Sequence, residues 1–367
     1  MNKMVFANLA HRPVRSLISI VAVALEVTLI LMIVAVFYGY LNGSKESQLG
    51  IGADIMVQPP GSSALVGVTG APVPVKVGNI LRKLPHIAVA APVIWELTTS
   101  PTVEIIYGID LPTYDSIQPS FRYLDGEGFQ GPWDVIVDDY FAGMKHMKVG
   151  DPLEILNHQF RICGIVAHGK GARKFLPLTT MQQLIGAENR ASVFYVKLDD
   201  PANADVAVKE IKQVPGMENY AVRSMQEYLS MMTPGNLPGF EIAIKIAVGI
   251  SVIVGFLAIF QSMYTAVMER TREIGILKSL GASKFYIVNV VLRETLLLAV
   301  LGIVLGIVLS FLTRQMIIHA RPVQRLFWSD IWVIRTAVIA ITGALAGALY
   351  PAYKAAQKDP IDALAYE

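Results

Sequence analysis

The chain has 367 residues, of which 53% are hydrophobic and only 16% charged, with a formal net charge of +2. Ordinary soluble domains carry about 25% charged residues, so this is the composition of a membrane protein. The near-neutral balance, with basic residues scattered and no aromatic-basic stripe, gives no reason to expect nucleic acid as a partner.

Four runs exceed the roughly 18 apolar residues that make a transmembrane helix. Residues 1–16 form an N-terminal segment with Lys3, Arg12 and Arg15, and residues 17–41 form the first run. Ala22 and Ala24 have the A-x-A spacing of a signal cleavage site. The run continues for about fifteen residues beyond them, too far for a signal peptide, so an uncleaved anchor helix is expected. Glu26 falls about ten residues into this helix. An acid there is costly and implies a function, a polar partner from another helix, or a local bond.

Residues 42–240 form an insertion long enough for a domain with its own core. ADIMVQ, IAVAAPVIWEL, TVEIIYGI and SVFYVKL read as strands, while NILRKL and DDPANADVAVKEIKQ have helical character. NILRKLPHIAVA and KEIKQVPGMENYAV share a loose pattern of helix, proline, turn and strand. Such units can pack as one sheet with helices on a face. Between them, a strand, a short helix and a hairpin turning near Asn157 and His158 predict a β-rich lobe at about 121–198. Cys163, the only cysteine, excludes an internal disulfide and reads as a small core residue in a strand.

Catalytic and ligand-binding signatures are weak in this insertion. GIVAHGKG (164–171) matches a phosphate loop only up to Gly171, which stands where Ser or Thr should be, and Pro177 is too close for a useful helix. His146, His158 and His168 belong to different segments, and no H-E-x-x-H or paired cysteines exist. Asp138 with Asp139, and Asp199 with Asp200, sit at turns and helix starts, where carboxylates cap amides. With no G-x-S-x-G elbow either, the insertion reads as a binding or gating domain.

The remaining apolar runs are 241–268, 285–313 and 331–353, separated by 269–284 and a short loop at 314–330 and followed by a tail at 354–367. Lys245 and Arg335 lie close enough to their helix ends to snorkel. Arg293 and Glu294 fall two to three turns into the third run, which is expected to begin at the interface so that they mark its entry into the membrane. Gly302 with Gly306, and Gly343 with Gly347, form G-x-x-x-G motifs that predict close helix packing, within one subunit or between two. Nine basic residues flank the N-terminus, the 269–284 stretch and the tail, against Arg314, Arg321 and Arg325 in the opposite loop. The positive-inside rule therefore places both termini in the cytoplasm and the insertion outside the membrane.

The stretch ERTREIGILKSLGASK (269–284) has helical periodicity. Ile274, Leu277 and Gly281, with Ile276 and Leu280 adjacent, form an apolar stripe, while Arg270, Arg272, Glu273 and Lys278 cover the remaining surface. Gly281 suits a helix stop and Ser283 a cap for the next helix. This is an amphipathic helix lying on the membrane or an element whose stripe docks into a cytoplasmic partner.

This stretch, with LRETLLLAVLGIVLG after it, resembles the third-helix region of the FtsX-like permease domain of MacB-type ABC exporters and lipoprotein-releasing permeases. YPAYKAAQKDPIDALAYE (350–367) is similar to that family's closing segment, and NLAHRPVRSLISI (8–20) to its N-terminal start. The resemblance implies an α-helical membrane protein with four transmembrane helices and a mixed α/β extracytoplasmic domain of the MacB type between helices 1 and 2. Glu269, Arg272, Glu273, Gly275, Lys278, Leu280, Gly281 and Ala282 match its coupling motif, and Ile276 lies among them. Glu294 matches the acid early in the third helix; Pro351, Ala352, Ala355, Ala356, Pro360, Ala363, Leu364 and Glu367 match the tail. Tyr353, Lys354 and Ala365 depart from it where arginine is frequent.

The implied protein is a permease subunit in a bacterial inner membrane. It transmits ATP-driven motion from a separate ABC ATPase to its outer domain, to export or extrude a substrate. No cofactor is expected in this chain; ATP and magnesium belong to the ATPase. A second permease copy, a membrane-fusion adaptor and an outer-membrane factor are the further implied partners. The alternatives are a non-transporting regulator of an extracytoplasmic hydrolase or sensor, and a membrane-anchored extracytoplasmic enzyme.

Overall fold

A computed structural model describes residues 13–62, 71–98, 104–237, 239–320 and 326–358. The first twelve residues, Arg321, Arg325 and the tail positions Pro360, Ala363, Leu364, Ala365 and Glu367 lie outside them. The chain forms two compact units, a helical one and an α/β one that runs from Tyr40 to Pro238.

Helix α1 (Pro13–Leu49) is uninterrupted and contributes to both units, its residues up to Gly39 to the first and those from Tyr40 to the second. It outruns the predicted span 17–41 at both ends. Backbone bonding within a helix does not depend on lipid, so good helix formers such as Lys45, Glu46 and Gln48 carry it onward.

The α/β unit opens with β1 (Ile55–Gln58), the two-residue β2 (Val73–Pro74), α2 (Lys76–Leu81), β3 (Ile87–Thr98) and β4 (Glu104–Ile109). Then come α3 (Leu111–Asp115), β5 (Tyr123–Gly126), β6 (Asp134–Asp138), α4 (Asp139–Lys145), β7 (Pro152–Ile155), β8 (His158–Val166) and β9 (Lys174–Pro177). The unit closes with α5 (Leu178–Leu184), β10 (Arg190–Ala191), β11 (Val193–Leu198), α6 (Ala204–Gln213), β12 (Ala221–Ser224) and α7 (Met225–Met231).

One sheet dominates, in the order β12-β1-β11-β3-β4-β9-β6-β8-β5, with β7 paired to β8. The pairs β4–β9 and β6–β8 are parallel and the other pairs antiparallel. Helices α2 and α6 cover one face, where Leu81, Ala207 and Ile211 share a core with Ile55, Val57, Phe194 and Val196. An aromatic core lies on the other face, with Tyr107, Tyr114, Phe121, Phe175 and Tyr195.

The predicted lobe at 121–198 needs correction. Strand β11 sits between β1 and β3, and the parallel pair β4–β9 joins the two halves into a single sheet. Five of the six β11 residues are buried, so its hydrophobic run marks a central strand rather than a lobe boundary. At the turn between β7 and β8, Leu156 and Asn157 both have positive φ, matching the primed turns that suit tight hairpins.

The helical unit contains α1, α8 (Phe240–Glu269), a short α9 (Thr271–Ser279), α10 (Lys284–Ala320) and α11 (Asp330–Gln357). Among the described residues, four helices are long and apolar enough to cross a membrane: α1, α8, α10 and α11. Helix α10 continues past the predicted limit at Thr313, and Arg314 bonds the carbonyl of Leu326 at 3.3 Å instead of standing in an open loop. Helix α11 likewise takes in the first residues assigned to the tail, including Lys354.

The two glycine motifs pack within the chain. A Cβ on Gly302 would lie 2.6 Å from Val23 Cβ, and one on Gly306 would lie 2.7 Å from the carbonyl oxygen of Ala24, so this pair seats α10 on α1. Thr28 Oγ1 donates to the Gly306 carbonyl at 3.1 Å along the same seam. A Cβ on Gly347 would come 2.8 Å from the Phe256 carbonyl, seating α11 on α8, whereas at Gly343 the nearest atom is 3.8 Å away. Gly306→Leu and Gly347→Leu should each lower bundle stability by about 1–3 kcal/mol through overpacking. Gly343→Ala should be nearly neutral, and thermal unfolding of the detergent-purified chain separates these outcomes.

Candidate functional site

The charged stretch does not form one helix. Helix α8 ends at Glu269, and Arg270 takes a non-helical conformation (φ −104°, ψ 17°) before α9 begins. Gly281 then adopts φ +93°, a region favourable only for glycine, and Ser283 Oγ accepts from Tyr286 N at 3.2 Å to start α10. Stop and cap fall at the residues the sequence indicated.

Arg270 Nη1 lies 2.9 Å from Glu294 Oε2, with side-chain exposures of 12% and 5%. Glu294 lies ten residues into α10 and ties that helix to the α8–α9 junction. Met263, Val267, Ile274, Ile287 and Val291 surround the pair, leaving a cavity of only about 50 Å³.

The apolar stripe is not free for a partner. Ile274 and Gly275 are buried, and Leu277 and Ala282 pack against the bundle core, which holds Ala352, Ala355 and Ala356 of α11. The solvent-facing side carries Arg272, Glu273, Ile276, Leu280 and Gly281, with Phe285 at the start of α10. Leu280 is 80% and Ile276 44% exposed, and one helical turn separates them. Lys278 points inward, donating to the carbonyl of Ala356 at 3.0 Å and to that of Lys358. Periodicity defined an amphipathic helix; burial assigns the Ile274 and Leu277 side to the bundle and leaves Ile276 and Leu280 outside.

Glu26 is buried on α1 against Gly255 of α8, where an added Cβ would stand 1.8 Å from Oε2. Its Oε1 has no hydrogen-bond partner. Seven residues earlier on α1, Ser19 Oγ meets Ser262 Oγ at 2.5 Å, seven residues beyond Gly255. This seam of small and polar residues joins the antiparallel helices α1 and α8.

In the α/β unit the phosphate-loop match proves structural. Strand β9 follows GIVAHGKG where a nucleotide loop needs a helix. Gly171 N donates to Ser47 Oγ at 3.1 Å, and the carbonyl of Gly169 sits where a Cβ on Gly50 would be, so the loop receives the end of α1. Gln48 anchors the same end: it accepts from Tyr195 Oη at 3.1 Å and donates to Tyr107 Oη at 3.3 Å. Sequence reading missed this socket, for which the close-packed glycines were the available signal.

The paired acids act as caps. Asp138 accepts from Phe141 N at 2.7 Å and Asp200 from Ala202 N at 2.9 Å, while Asp139 holds His168. No cluster of His, Cys, Asp and Glu suited to a metal occurs among the described residues.

Among the described residues, four membrane-length helices carry a large domain inserted after the first and an amphipathic helix between the second and third. Residues 16–214 match the MacB-like periplasmic core domain and residues 245–360 the FtsX-like permease C-terminal domain. The first match spans more than half of the chain, which therefore belongs to the FtsX-like, MacB-type family of ABC transporter permeases.

The chain is 24% identical over 234 residues to an uncharacterized ABC transporter permease of Methanocaldococcus jannaschii, covering 60% of this chain and 58% of the relative. It is 28% identical over 223 residues to the uncharacterized ABC transporter permease YknZ of Bacillus subtilis, covering 59% and 55%. To the macrolide export ATP-binding/permease protein MacB of Neisseria gonorrhoeae it is 29% identical over 195 residues, covering 52% of this chain and 30% of that one. Less than two thirds of each relative's length is thus matched. Among solved structures, the periplasmic region of MacB from Actinobacillus actinomycetemcomitans aligns with a TM-score of 0.39 at 17% identity, over 48% of this chain and 92% of that one.

Two stability tests follow. Arg270→Met, which removes the guanidinium beside the buried Glu294, should cost about 3–5 kcal/mol, and adding Glu294→Leu should recover most of it; thermal melts of the two variants decide this. Burial pushes the Asp138 carboxyl up to about 6, against a partial pull downward from the Phe141 amide and Arg173. A raised acid favours the fold below its unfolded value of 3.8 and costs stability as pH rises through about 6. Asp138→Asn keeps a capping oxygen and removes that cost, so its stability relative to wild type should rise by about 2–3 kcal/mol from pH 3.5 to pH 7.5.

Proposed function

We propose that this chain is the permease subunit of an ABC transporter, and that it receives ATP-driven motion from a separate cytoplasmic ATPase through α9. The observation that carries this reading is the division of α9 into two sides. One is fixed to the bundle by Ile274, Leu277 and Lys278. The other presents Arg272, Glu273, Ile276 and Leu280 to solvent. Exposed apolar side chains rimmed by opposite charges suit a protein partner. The excess of basic residues near this end of the bundle supports a cytoplasmic location for it.

Motion received there has a covalent route outward, because α1 continues unbroken from the bundle into the α/β unit. Along the α1–α8 seam the Glu26 carboxyl sits against Gly255 and Ser19 meets Ser262, so polar and small residues lie where α1 contacts the bundle. We assign the α/β unit to the extracytoplasmic side, where it extrudes a substrate, and take the working unit to contain a second copy of the chain.

Reconstitution with the cognate ABC ATPase tests the premise. The wild-type chain should co-purify with the ATPase and change its hydrolysis rate, whereas Leu280→Asp combined with Ile276→Asp should weaken association by at least about tenfold. Undiminished association in that variant would place the docking surface elsewhere.

A further inference from the structure

Lys278 has the charge expected of a residue facing a partner, yet its ammonium is directed into its own chain. It lies on the side of α9 that carries Ile274 and Leu277, and its Nζ donates to the carbonyls of Ala356 and Lys358. These oxygens close the C-terminal end of α11, which stops at Gln357. The last carbonyls of a helix have no intrahelical donors, and a cation there also meets the negative end of the helix dipole. Lysine suits the position because its three donors ride on a flexible stem that reaches two carbonyls at once.

We propose that Lys278 is a positioning residue that fastens α9 to the end of α11, so that the two move as one body, and that it does not contact the ATPase. Three further observations agree. Ile274 shares a core with Ala352, Ala355 and Ala356, which are at most 2% exposed, so an apolar contact backs the polar one. Lys354 lies 5.4 Å from the centre of the Tyr264 ring, which holds the same end of α11 to α8. Arg270 and Glu294 fasten the opposite end of α9 to α10. A push on Ile276 and Leu280 therefore reaches α10 through the ion pair and α11 through Lys278.

The inference rests on the reading of α9 as the coupling element, but one arm of its test does not. In the full chain in nanodiscs, Lys278→Met should speed amide exchange at the end of α11, residues 352–357, by about tenfold. Lys278→Arg should restore most of the protection, and Arg272→Ala should leave it unchanged. With the ATPase present, Lys278→Met should bind it within about twofold of wild type yet lose the permease-dependent change in hydrolysis rate. Unchanged exchange in Lys278→Met, or a loss of ATPase affinity as large as that of Leu280→Asp, would overturn the proposal. If the wild-type chain binds no ATPase, the coupling reading fails, while the exchange measurement still decides whether Lys278 holds α11.

Discussion

Arg270 and Glu294 meet at 2.9 Å inside an apolar core, where a buried charge is costly unless it is paired. The chain leaves helical geometry at Arg270, the residue whose guanidinium meets α10. Once that junction is fixed, α9 has one course available, with Ile274 and Gly275 against the bundle and Arg272 and Glu273 in water. Lys278, one turn further along, then reaches the carbonyls that end α11. The exposed Ile276 and Leu280 are what remains after these requirements are met.

The rest of the bundle depends on close backbone approach. Lipid gives helices no hydrophobic reason to associate, so packing and local hydrogen bonds must do it. Gly302 and Gly306 bring α10 onto α1, Gly347 brings α11 onto α8, and Gly255 makes room for the Glu26 carboxyl. Every seam named here lies between helices of the same chain.

In the α/β unit the same economy appears in the glycine-rich loop at 164–171. Its sequence resembles a nucleotide loop because both uses need backbone without side chains. Here the approaching group is the end of α1: Gly50 lies against Gly169, and Ser47 accepts from Gly171. The tyrosine pair Tyr107 and Tyr195, closed by Gln48, gives the buried end of that helix polar partners within an aromatic core.

By itself the sequence determined what depends on local regularity. Run length gave the four membrane helices, alternation gave most of the strands, and Gly281, Ser283, Asp138 and Asp200 gave stops and caps, because each acts on backbone a few residues away. The combined motifs at 269–284 and 350–367 gave the family. Helix limits were less legible, since a helix carries on into polar sequence once formed. Only the tertiary structure decided the destinations of side chains between distant segments: Lys278 on α11, Arg270 with Glu294, the partners of each glycine motif, and β11 as a central strand. These pairings join residues from 24 to more than 270 positions apart, and they are settled by which neighbour excludes water from a charge or fills the space beside a glycine. Local periodicity carries no information about either.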